Sequence, residues 1–256
     1  MTDLEESDLP RSRKERRRAR RGGKRNPNNN NNQPQPTKVN LVLKTVNPLT
    51  KNQDIAFKAY REKHLLLHGY AGTGKSFLAL YFALNDVLNN QLYDKVIIIK
   101  SAVQSRNQGH MPGNQEQKQA VFEAPYHSIC SDLFGRGDAY DVLKQKRIVE
   151  FTTTSFLRGE TLNNAVVILE EVQNMNDTEI NTCVTRLGEN SKLIINGDFR
   201  QNDLANRRNE ESGIGKLLEV VDYMGCFTKI EMQIEDIVRS KLVKDWIVAR
   251  SRIGLV

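Results

Sequence analysis

Along residues 39–256, short apolar runs alternate with longer amphipathic segments. Six runs have strand length: HLLLH (64–68), KVIIIK (95–100), RIVEF (147–151), AVVIL (165–169), KLIIN (192–196) and CFTKIEM (226–232). They are rich in Ile and Val and mostly apolar at consecutive positions, as strands are when helices cover both faces of a parallel sheet. Between them, SFLALYFALNDVL (76–88), NDTEINTCVTRL (176–187) and ESGIGKLLEVV (211–221) carry apolar residues at helical spacing. IEDIVRSKLVKDWIVARSRI (234–253) predicts one last amphipathic helix. The pattern is that of an α/β domain with a mainly parallel sheet and helices on both sides.

Residues 1–38 read differently. RSRKERRRARRGGKR (11–25) holds ten Lys or Arg against one Glu, and NPNNNNNQPQP follows, with almost nothing apolar to bury. Ordering such a segment would cost backbone entropy with no compensating core, so it is expected to be a disordered basic tail. Most of the net charge of +7 on the 256 residues belongs to it. A block of like charge either solvates the chain or holds a polyanion such as a nucleic acid.

Neither a bilayer-spanning apolar run nor the apolar centre of a secretory signal is present, which places the expected location in the cytoplasm. Cys130, Cys183 and Cys226 are widely spaced and form no CxxC pair, so reduced core thiols are expected rather than disulfides or a zinc site. His64 and His68 bracket a strand without a third ligand at matching spacing.

The chemistry begins after the first run. Gly69-Tyr70-Ala71-Gly72-Thr73-Gly74-Lys75-Ser76 satisfies GxxxxGK[ST] between a predicted strand and a predicted helix, followed by Phe77. The glycines let the backbone turn around an anion so that successive amides and the positive helix end face a β-phosphate. Lys75 can reach the β and γ oxygens, and Ser76 can offer its hydroxyl to Mg2+. The expected fold is a RecA-like P-loop NTPase.

Such a loop needs a carboxylate at the end of a neighbouring strand, and AVVILEE supplies Glu170 and Glu171. Two buried adjacent glutamates would cost several kcal/mol without a partner. A metal ion offsets that cost, with Glu170 holding Mg2+ and Glu171 deprotonating the water that attacks the γ-phosphate. A solvated acid pair is the alternative. In SKLIINGDFRQND, Gly197-Asp198 ends another strand, and Gln201 three residues on could sense the γ-phosphate; a turn capped by Asp is the other reading.

In their order, these pieces resemble the PhoH-like P-loop ATPases, relatives of superfamily 1 helicase cores, over about residues 47–256. NPLTKNQ (47–53), GYAGTGKS, KSAVQSRNQGHMPG (100–113), SFLRGETL (155–162), LEEVQN, TRLGENSKLIINGDFRQNDL and EDIVRSKLV carry the resemblance. It implies ATP and Mg2+ as ligands, Gln53 as an adenine reader, and Arg239 as an arginine reaching a γ-phosphate, in its own or a neighbouring subunit. It also implies a homo-oligomer, a hexameric ring, with helicase-like coupling to RNA or single-stranded nucleic acid. Glu170 stands where Asp is usual, an extension of roughly 1.5 Å, and Lys100-Ser101 where Arg-Pro is usual. Two rivals stay open: a P-loop kinase, with Arg207-Arg208 as the one hint of a lid, and a switch that binds ATP without turnover.

Overall fold

The computed structural model describes residues 41–101, 115–157, 159, 161–199 and 213–254. All lie in the second of the chain's two units, Leu41–Val256. The tail, the segment 102–113, Gln201 and Arg207-Arg208 fall outside the described residues.

Six strands form one sheet: β1 (His64–Gly69), β2 (Lys95–Lys100), β3 (Val149–Thr153), β4 (Ala165–Glu170), β5 (Ser191–Gly197) and β6 (Phe227–Met232). Their order is β3-β2-β4-β5-β1-β6, and every pairing is parallel. All six residues of β4 are buried, as are the four central ones of β2, which is why these strands read as unbroken apolar runs. The edge strand β6 has only Ile230 and Met232 buried, and its sequence alternates accordingly. At the other edge, β3 begins two residues later than RIVEF suggests, because Arg147 takes a left-handed backbone (φ 56°) that ends the preceding turn.

Helices α1 (Lys51–Tyr60), α2 (Lys75–Leu88), α3 (Gln115–Phe134) and α4 (Ala139–Gln145) cover one face. There Leu65, Leu67, Ile98, Ile168 and Ile194 pack with Leu84, Tyr126, Cys130 and Tyr140. Helices α5 (Asp177–Val184) and α6 (Ile214–Met224) cover the other, where Leu66, Ile97, Val167 and Ile195 meet Ile180, Cys183, Leu217 and Val221. Successive residues of β1 thus serve opposite cores. Nine of the fourteen residues of α2 are buried, so it is apolar nearly all round. The α5 start is a capping box, Asn176 accepting from the Glu179 amide at 2.9 Å and Glu179 from the Asn176 amide at 3.0 Å. Among the described residues no helix is long and apolar enough to cross a membrane.

Three expectations need correction. The strand carrying Glu170 does not neighbour the strand that opens the phosphate loop: β5 lies between β4 and β1. The long helix expected over 234–253 divides into a 3-10 turn (Ile234–Asp236), an extended link and α7 (Lys241–Arg252). Asp236 Oδ2 accepts from the Gln233 amide (2.8 Å) and from Asn52 Nδ2 (2.6 Å), capping the turn, and the Val238 amide donates to the Gly72 carbonyl (3.0 Å). The link therefore spends its backbone on the loop instead of on a helix. Of the three thiols, Cys130 and Cys183 are buried and free, while Cys226 is partly exposed.

Candidate active site

β1 ends where the chain must turn sharply. Gly69 has φ 111°, and the β6 backbone lies so close that a Cβ there would collide with the Met232 carbonyl. Gly72 (φ 77°) lies beneath Arg239, whose Cγ would be 2.8 Å from an added Cβ. Only glycine fits both the conformation and the space. The loop then enters α2 through Gly74, so the first amides of a well-anchored helix open towards the concavity. Lys75 folds over the loop, its ammonium donating to the carbonyls of Gly69 and Tyr70 at 2.8 Å each. Thr73 Oγ1 donates to the Tyr70 carbonyl (2.9 Å) and braces the turn.

Opposite the loop, Glu170 is 4 % exposed. Its Oε2 accepts from Ser76 Oγ (2.8 Å) and its Oε1 from Asn196 Nδ2 (2.7 Å). Burial pushes this carboxyl above its ordinary range, against the opposing pull of the Asn196 and Ser76 hydrogen bonds. Glu171 behaves otherwise. Its backbone is left-handed (φ 53°, ψ 48°), turning the chain from β4 into a 3-10 turn at Val172–Asn174. Its side chain remains 46 % exposed and pairs with Lys100 Nζ at 2.8 Å. The expectation of two buried glutamates thus holds for Glu170 alone. A non-glycine residue in this region of backbone space costs on the order of 1 kcal/mol or more and is often found at functional sites.

Gln53 is 3 % exposed; its Oε1 accepts from the Leu49 amide (2.8 Å) and its Nε2 donates to the Thr73 carbonyl (3.1 Å). It ties the strap before α1 to the phosphate loop. Arg239 is exposed, sits in the extended link and lies over the loop of its own chain. Asp198, past the end of β5, donates its amide to Gln173 Oε1 (3.0 Å). All of these line one cavity of about 720 Å³, to which Val46, Leu49, Phe77, Pro125 and Ile129 add apolar surface and Asn47, Ser128 and Asp132 polar surface.

The sequence reading did not single out Asn196 as a site residue or give Lys100 a partner. Their signal is an amide or ammonium closing an otherwise apolar run, KLIIN and KVIIIK, at the end of a strand. The histidines have other work: His64 Nδ1 accepts from the Leu193 amide (3.1 Å), and the His68 ring stacks on Phe199. Among the described residues no group of three or more His, Cys, Asp or Glu could hold a metal. Mg2+ commonly uses one or two protein oxygens together with phosphate oxygens, and the Ser76 hydroxyl against a buried carboxylate is a hard-oxygen pair of that kind.

Comparison with known proteins places this geometry. The family model described as PhoH-like protein matches residues 45–250. A PhoH-like protein of Bacillus subtilis is 34% identical over 176 residues, 68% of this chain and 54% of its own. One from Synechocystis is 33% identical over 185 residues, 72% and 55% respectively. The chain thus spans about half the length of these relatives. Among solved structures, the large terminase of the thermophilic bacteriophage D6E in complex with ADP is similar over 78% of this chain and 49% of that one, at 14% identity and a TM-score of 0.44. With its phosphate loop between β1 and α2 and its wholly parallel sheet, the chain is a P-loop nucleotide-binding protein and belongs to the PhoH-like family.

Proposed function

We propose that the chain hydrolyses ATP with Mg2+ and couples the cycle to single-stranded nucleic acid, RNA above all. The observation that carries the first part is the contact between Ser76 and Glu170. It sets a hydroxyl of the phosphate loop and a buried carboxylate at one point beside the loop amides. A bound Mg2+ would supply charge neutralisation between β and γ oxygens. Glycines 69, 72 and 74 shape the anion cradle, and Lys75 leaves the carbonyls of Gly69 and Tyr70 to donate to the β and γ oxygens. Glu171 takes a proton from the attacking water as the water oxygen bonds to the γ-phosphorus, and the bond from that phosphorus to the bridging oxygen breaks to release ADP. Arg239, set over Gly72 of the same chain, stabilises the charge on the transferring group in cis. Beyond its two backbone bonds, Gln53 keeps one N–H and one lone pair, the complement an adenine edge needs.

The basic run at 11–25 supports a polyanion partner. Leu242 and Trp246, exposed on α7, and Ile253 at its C-terminal end support self-association. Steady-state phosphate release by the purified chain, with and without RNA, tests the reading. Release that rises with RNA and needs Mg2+ is expected; release only with an acceptor alcohol would favour a kinase, and none at all a switch.

A further inference from the structure

The polar residue at 196 is out of place by the usual rules of a sheet interior. It closes the apolar run KLIIN on a strand flanked on both sides, and it is 2 % exposed. Only half of its amide is matched: Nδ2 donates to Glu170 Oε1 at 2.7 Å, whereas Oδ1, also buried, accepts no hydrogen bond among the described residues. A half-satisfied buried amide is worse for stability than an apolar side chain of the same size. That cost directs attention to what the amide does for Glu170.

Glu170 needs such help. A glutamate has one more rotatable bond than an aspartate, and Mg2+ demands near-ideal geometry from its oxygens. In this chain the carboxylate is gripped at two points from two different elements, Oε2 by Ser76 of α2 and Oε1 by Asn196 of β5. Because β5 lies between β4 and β1, Asn196 occupies the gap that separates the carboxylate strand from the loop strand. Ser76 itself would turn its hydroxyl to the metal, leaving Asn196 as the grip that persists in the loaded state.

Building on the reading of Glu170 as the magnesium carboxylate, we infer that Asn196 is a positioning residue that locks Glu170 for Mg2+ and thereby sets the metal affinity of the nucleotide complex.

The test uses the full chain and a fluorescent ADP, so that no turnover is involved, titrated with MgCl2. Asn196→Leu keeps the branched shape in a bulkier side chain and removes the donor; Asn196→Ser, which is too short to reach Oε1, serves if the leucine variant does not fold. Metal-free ADP affinity is expected to stay within about twofold of wild type. The Mg2+ concentration giving half of the metal-dependent change is expected to rise about 10-fold, the low end for loss of a partner that orients a metal ligand. A role confined to packing would lower the melting temperature without moving that concentration. Adding Asn196→Leu to Glu170→Gln should move it no further. An unchanged half-saturation in a folded Asn196 variant overturns the inference; if Glu170→Gln also leaves it unchanged, the magnesium role of Glu170 falls with it.

Discussion

Lys100, at the end of β2, and Glu171, one residue past β4, form an ion pair of 2.8 Å although their strands enter the site from different sequence segments. The Lys100 side chain is only 15 % exposed, so its charge acts in a less screened environment than its half-exposed partner. The pair is the shorter of two contacts that direct the proposed base, the other being Asn174 Nδ2, which donates to Glu171 Oε2 at 3.5 Å. Lys100→Met should lower kcat roughly 10-fold with KM little changed, on the order of one well-made charged contact. The melting temperature should move by no more than the equivalent of about 1 kcal/mol, since the carboxylate left behind is 46 % exposed and stays hydrated. Lys100→Arg should retain most of the activity; steady-state kinetics on the three proteins decide the matter.

For Glu171 itself, replacement by Gln keeps the shape and removes the base. ATP affinity should remain within a fewfold of wild type while turnover falls about 10²- to 10⁴-fold, the span of general-base effects. Equilibrium binding and phosphate release measured on one preparation separate the two. Normal turnover would mean that another group activates the water.

Lys75 donates to the carbonyls of Gly69 and Tyr70 and is proposed to turn from them to the nucleotide phosphates. Lys75→Ala should weaken ATP binding about 10- to 100-fold, the equivalent of roughly 1.5–3 kcal/mol of charge-assisted hydrogen bonding. Calorimetric titration reads this directly, and unchanged affinity would reject the site assignment.

Asp236 links α1 to the turn that precedes the link carrying Arg239. Burial pushes its carboxyl up, but hydrogen bonds from Thr50, the Gln233 amide and Asn52 outweigh that and hold it below the ordinary carboxylate range. A carboxyl lowered in the folded state adds stability above its unfolded pKa and loses it as pH falls through the folded one. The melting temperature of Asp236→Ala should therefore lie below wild type at neutral pH, by the equivalent of about 1 kcal/mol for a lost cap. The gap should narrow on acidification below the ordinary carboxylate range, which thermal melts across pH will show.

Removing residues 1–38 should weaken RNA binding most at low salt. Each single-strand phosphate released from contact lowers the log-log salt slope by about 0.7. Fluorescence anisotropy at several salt concentrations measures both affinity and slope, and full retention of the two would exclude the tail as the polyanion arm.

Much of this architecture was legible in the residues. Strands buried on both faces cannot hide their apolar runs, and the phosphate loop announces itself because anion binding and close backbone approach both demand glycine at fixed spacing. What escaped reading was set by the third dimension. That β5 stands between β4 and β1 depends on strand order, which periodicity does not encode. The pairing of Lys100 with Glu171 and of Asn196 with Glu170 joins strand ends far apart in the chain. The division of 234–253 turned on Asp236, whose capping partner Asn52 lies in α1. Apolar spacing continues through that stretch and gives no hint of the break.

The central claim is that Ser76 and Glu170 meet where Mg2+ and the nucleotide phosphates bind. A crystal structure of the full chain with Mg2+ and a non-hydrolysable ATP analogue tests it most directly. The account predicts triphosphate oxygens on the amides of residues 69–76 and the metal beside Ser76 Oγ on the Glu170 side; a nucleotide bound elsewhere, or a metal out of reach of both residues, would contradict it.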